Sequence, residues 1–76
     1  MNLKKQGVKS GVPDLCLPVS RNKIHGLYIE MKYGRNKTTE NQNTWIEKLK
    51  KQGYKVEVCY SGDEAIEILK EYLKGN

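Results

Sequence analysis

The order of residue periodicities between Leu27 and Tyr60 constrains the fold more than any other feature of this chain. Residues 25–32 have the alternating, aromatic and β-branched content of a strand. Residues 39–52 then place Trp45, Ile46 and Leu49 at helical spacing, with Thr39 as N-cap and Gln42 completing a capping box. Gly53 stops that helix. Residues 54–60 alternate again, with Val56 and Val58 on one face and Glu57 and Cys59 on the other. A strand, a helix and a strand in that order predict two parallel strands joined by a right-handed crossover.

The flanking segments fit around this unit. "GVPDLCLPVS" (residues 11–20) contains a strand over 15–19, with Pro18 pointing to its exposed end or an edge. A polar loop over 20–23 joins it to the next strand, which suggests a hairpin. Ser61 or Asp63 caps a last helix whose buried face is Ala65, Ile66, Leu69, Tyr72 and Leu73, and Gly75 ends it. The polar, basic residues before Gly11 read as the end of a short helix or as an arm. The expected class is α/β: a small mixed sheet, hairpin plus parallel strand, flanked by helices.

Seventy-six residues allow one small domain of marginal stability, for which a dimer or a bound metal would help. The net charge is +5, and its distribution is uneven. Lys4, Lys5, Lys9, Arg21, Lys23, Lys32, Arg35 and Lys37 share the first half with only two acids, Asp14 and Glu30. A polyanion is the simplest partner for such a surface. Cys16 and Cys59 lie far apart inside apolar runs, so buried, reduced cysteines are expected rather than a zinc site. With no signal peptide or long apolar segment, the expected location is cytoplasmic, with no membrane partner.

Three charged residues interrupt the two apolar runs of the hairpin. Glu30 and Lys32 share a strand face, and pairing brings Asp14 beside the end of that strand. Two carboxylates suit Mg²⁺, which prefers hard oxygen ligands and keeps several waters. Such an ion activates water and stabilises a phosphoryl oxygen, and a neighbouring lysine orients the water or supports developing charge. This is the chemistry of phosphodiester hydrolysis. The simpler alternative is a salt bridge of Lys32 with Asp14 or Glu30 across strands.

The ordered set Gly11-Val12-Pro13-Asp14-Leu15, Ile29-Glu30-Met31-Lys32, Gln42-Asn43-Thr44-Trp45 and Gly53-Tyr54-Lys55-Val56 resembles the VRR-NUC family (virus-type replication-repair nuclease) of the PD-(D/E)xK superfamily. The resemblance spans almost the whole chain. It implies a restriction-endonuclease-like fold, with Asp14, Glu30 and the Met31 carbonyl as ligands of Mg²⁺ or Mn²⁺. It also implies that Lys32 is the catalytic lysine and Gln42 a glutamine of the site. Lys4, Lys5, Lys9, Arg35 and Lys37 become DNA contacts. The stand-alone phage kind implies a homodimer cutting branched DNA such as four-way (Holliday) junctions, in the host cytoplasm.

The family usually has a helix with a glutamate, and often a strand, ahead of its G-x-P-D-L motif. Here thirteen residues precede Asp14 and none is acidic. The expectation is a single domain over 1–76 without that helix, its sheet one strand short. A non-catalytic DNA-binding subunit with the same fold is the alternative. "GYKVEVCYSGDEAIEIL" (53–69) also resembles part of a response-regulator receiver. There, however, the G-Y-x-V segment precedes P-D-L, the reverse of the order here. His25 reads as a surface residue at a strand end and Trp45 as core, while Tyr33 is left between stacking on a base and packing under its loop.

Overall fold

The computed structural model describes residues 3–5 and 10–75. Six elements follow in order: β1 (Lys4–Lys5), β2 (Leu15–Leu17), β3 (Leu27–Met31), α1 (Glu40–Lys51), β4 (Lys55–Cys59) and α2 (Gly62–Lys74). They form one four-stranded sheet in the order β1-β2-β3-β4. β2 and β3 pair antiparallel, with Leu15 opposite Ile29 and Leu17 opposite Leu27. β3 and β4 pair parallel, with Leu27 opposite Lys55 and Met31 opposite Cys59. This is the mixed α/β sheet that the periodicities imply.

Two expectations are corrected at the N-terminal side. Lys4 and Lys5 are neither a helix end nor a free arm: they form β1, paired antiparallel with Cys16 and Leu15. The sheet therefore has a strand ahead of the P-D-L motif. β2 ends at Leu17 rather than at 19, because Pro18 offers no N–H to a ladder. The chain then closes through Asn22 and Lys23, both left-handed at φ 49° and 67°, with Arg21 and Ile24 exchanging backbone hydrogen bonds of 3.0 and 2.7 Å. Two central residues at positive φ match the right-handed strand twist that a tight hairpin needs.

Helix α1 is delimited by its own chemistry. The Thr39 hydroxyl accepts from the Gln42 N–H at 3.1 Å, and Gln42 Oε1 accepts from the Thr39 N–H at 2.9 Å. At the other end Gly53 sits at φ +91°, where an L side chain is strained. Its N–H reaches the Lys50 carbonyl, and the Tyr54 N–H reaches that of Leu49, both at 3.1 Å. The N-cap of α2 is Ser61, not Asp63.

The two helices cover opposite faces. Leu17, Leu27, Ile29 and Cys59 form a buried core with Ala65 and Tyr72 of α2. Ile66, expected in that face, is 49% exposed, and Ile68 packs instead. One residue is 100° of helix, so a stripe centred on 65, 68, 69 and 72 leaves position 66 on its flank. Tyr28, Glu30, Val56 and Val58 alternate to the other face, where α1 lies. Cys16 and Cys59 are buried and unbridged, as composition suggests. No helix among the described residues is long and apolar enough to cross a membrane.

Candidate metal centre and nuclease site

Pairing places the three charged residues at one end of the hairpin. Extending the β2–β3 register by one step from Leu15 and Ile29 sets Asp14 opposite Glu30. Asp14 Oδ2 accepts from the Met31 backbone N–H at 3.0 Å, so the carboxylate takes the place of a strand partner just ahead of the start of β2. Asp14, Leu15, Glu30, Met31 and Tyr33 line an open cleft of about 400 Å³.

Among the described residues Glu30 is the buried charged one, only 3% exposed. Its Oε2 accepts from Gln42 Nε2 at 3.0 Å and lies 3.7 Å from Lys32 Nζ. Its Oε1 is buried with no hydrogen-bond partner among the described residues. Burial raises the Glu30 carboxyl above its ordinary value of 4.5; the Asp14 charge adds to the rise, and Lys32 offsets part of it. Burying a carboxylate oxygen without a donor is costly, and the fold retains it in a residue that lines the cleft. Two carboxylates with one unspent oxygen match a hard divalent cation that brings its own waters. Among the described residues there is no group of three or more His, Cys, Asp or Glu side chains that could hold a metal ion.

Gln42 completes the capping box and also reaches Glu30. Its Oε1 is committed to the Thr39 N–H, so its amide N–H₂ faces Glu30. The helix cap thereby fixes the orientation of the amide that holds the carboxylate. Lys32 pairs with Glu30 two residues before it, not across strands; its side chain is 13% exposed. Its backbone N–H donates to the Cys59 carbonyl at 2.8 Å, continuing the parallel ladder one step past β3. Tyr28, on the Glu30 face, is pushed up to about 12 by burial and then by its hydrogen bond with Cys16, so it stays neutral near pH 7.

The basic residues expected to contact DNA lie on several segments. Arg35 and Lys37 are exposed on the turn between Lys32 and α1. Lys4 is exposed on β1, Lys5 is the other residue of that strand, and Lys9 lies outside the described residues. His25 is exposed at the opposite end of β3, its ring 5.7 Å from that of Tyr54. Trp45 is half-buried, with Lys48 Nζ 5.7 Å from its ring centre. The sequence carried no sign that Leu15 lines the cleft. Tyr33 does so at 72% exposure, which removes packing under the loop as its role.

The VRR-NUC domain family matches residues 1–63. A solved structure described as a "VRR_NUC domain protein" superposes with a TM-score of 0.84 at 39% identity, over 92% of this chain. The chain spans 58% of the length of that structure. Among curated proteins none matches the chain. A family match over most of the sequence and a superposition over nearly all of it agree: the chain belongs to the VRR-NUC domain family.

Proposed function

We propose that this protein is a Mg²⁺- or Mn²⁺-dependent endonuclease that hydrolyses phosphodiester bonds in four-way junctions or other branched DNA, acting as a homodimer. The observation that carries the metal site is the unpartnered, buried Oε1 of Glu30, a residue that lines an open cleft together with Asp14. Asp14, Glu30 and the Met31 carbonyl would hold the ion. Bound there, it would supply an acidified water and charge stabilisation at a phosphoryl oxygen.

The chain's own residues divide the remaining work. Asp14 is oriented by the Met31 N–H, and Glu30 by the capped Gln42 amide. Both carboxylates are held by hydrogen bonds from the chain itself, which supports preorganisation of the site. The Lys32 ammonium, 3.7 Å from Glu30 Oε2, would support charge as the water oxygen bonds to phosphorus and the opposite P–O bond breaks. Lys4, Lys5, Lys9, Arg35 and Lys37 would contact phosphates and set the register of DNA without reading its sequence. A two-fold pair of such sites suits a symmetric junction.

The alternative is a non-catalytic DNA-binding subunit, favoured by the absence of a third acidic or histidine ligand among the described residues. Cleavage of a labelled four-way junction and a linear duplex, in Mg²⁺ and in Mn²⁺, separates the two. The nuclease cuts the junction in metal, and Lys32→Ala abolishes cutting while binding persists. Binding in both metals without cutting selects the subunit.

A further inference from the structure

The chain has five tyrosines and one tryptophan for its aromatic surface. Most have structural partners. Tyr28 and Tyr54 meet edge to face with centroids 5.3 Å apart, and Tyr72 is buried and donates its hydroxyl to the Val19 carbonyl. Tyr60 is 46% exposed just after β4. Tyr33 differs from all of them. It is 72% exposed, it lines the cleft with Asp14 and Glu30, and nothing among the described residues engages its ring or hydroxyl.

Its backbone is nevertheless held. The preceding N–H, that of Lys32, is tied to the Cys59 carbonyl, and the Tyr33 carbonyl accepts from the Asn36 N–H at 3.1 Å. Gly34, at φ +57°, lets the chain turn directly after the ring. The turn also carries the exposed cations Arg35 and Lys37. An aromatic ring beside backbone-tracking cations is the arrangement by which proteins hold single-stranded nucleic acid. It also stands at the carboxyl end of the parallel pair β3–β4, the usual ligand end of such strands.

Stacking requires a free base face. In a continuous duplex each base is covered by its neighbours, so a protein ring can stack only where a base is unpaired or terminates a helical stack. We infer that Tyr33 stacks on an unstacked base flanking the phosphate in the cleft, making DNA with an unpaired or stack-terminal base at that point the preferred ligand. This deepens the nuclease reading and rests on the same cleft. Tyr33 sets which DNA is favoured; Asp14, Glu30 and Lys32 do the chemistry.

The test uses the full chain and a duplex bearing a single-stranded flap, with 2-aminopurine placed in turn at the bases flanking the branch. Binding is followed in Ca²⁺ and in chelator, so no cutting is needed for the readout. Wild type quenches the probe at one branch position. Tyr33→Ala loses that quench and loses about tenfold in affinity for the flap relative to the uninterrupted duplex, within the range of one base stack. Tyr33→Phe and Tyr33→Trp keep both. Circular dichroism checks that each variant folds.

Equal weakening on flap and duplex, no weakening on either, or an unchanged quench in Tyr33→Ala overturns the assignment. A dimer that falls apart in Tyr33→Ala by sedimentation also overturns it, since a second copy then covers the ring. Quenching without cleavage in Mg²⁺ or Mn²⁺ leaves the stacking role standing and removes the nuclease reading. Cleavage with no flap-selective effect of Tyr33→Ala does the reverse.

Discussion

The Glu30 carboxyl is raised by burial first and by Asp14 second, and Lys32 offsets only part of that rise. A folded value above the unfolded one gives a contribution to stability that is fully present below the unfolded value. That contribution is lost as pH rises through the folded one. The metal-free protein therefore takes on the penalty of a buried carboxylate as pH rises from the ordinary 4.5 through the folded value. Glu30→Gln removes the titration. In chelator its Tm should exceed that of wild type at pH 7, and the excess should shrink as pH falls toward the ordinary 4.5. A Tm difference independent of pH, from thermal melts across that range, contradicts the burial argument. A second residue carries strain with no tie to the site: Lys23, at φ 67° in the hairpin turn. Lys23→Gly relieves a left-handed side-chain conformation and should add about 0.5–1 kcal/mol. Urea unfolding checks it, as a higher midpoint with an unchanged slope.

Between elements, the loop before β2 is clamped to the first turn of α1. Asn41 Nδ2 donates to the Ser10 hydroxyl at 3.1 Å, and Gly11 lies against Asn41 and Trp45 at φ +87°. A Cβ on Gly11 would stand 2.7 Å from Asn41 Nδ2 and 2.8 Å from Trp45 Cδ1. The glycine is needed both for its backbone angle and for the close approach. That approach draws together two segments that each present a site residue, Asp14 from the loop and Gln42 from the helix. Gly11→Ala should cost at least about 2 kcal/mol, from left-handed strain plus overpacking. Because the clamp also sets the cleft, the variant should lose metal-dependent activity at temperatures where circular dichroism still shows it folded. Activity that falls only along with the folded fraction would assign Gly11 a purely structural role.

At the scale of the whole molecule, a small domain that buries an unsatisfied carboxylate gains from a ligand that satisfies it. Mn²⁺ at a hundred times its Kd should stabilise the protein by about 2.7 kcal/mol, a Tm rise on the order of 10 °C for a domain of this size. Asp14→Asn should abolish the rise without lowering the metal-free Tm, since an amide oxygen still accepts from the Met31 N–H and the repulsion on Glu30 is relieved. An equal rise in wild type and Asp14→Asn, measured by scanning calorimetry, places the ion elsewhere. Sequence by itself determined what is local and periodic. The capping box at Thr39 and Gln42, the stop at Gly53 and the β3-α1-β4 order follow from backbone hydrogen-bonding and side-chain spacing within a few residues. The ordered motifs, read together, also reached the family. Other features had no local signal. β1 is two residues long and exists only because β2 offers it an edge. Ile66 and Ile68 are chemically equivalent, and the angle at which α2 meets the sheet selected Ile68. The free oxygen of Glu30, its link to a helix cap twelve residues away and the open position of Tyr33 over the cleft depend on how separate elements dock. Only tertiary structure decided those, because burial and partnering belong to pairs of segments that have no contact until the chain is packed.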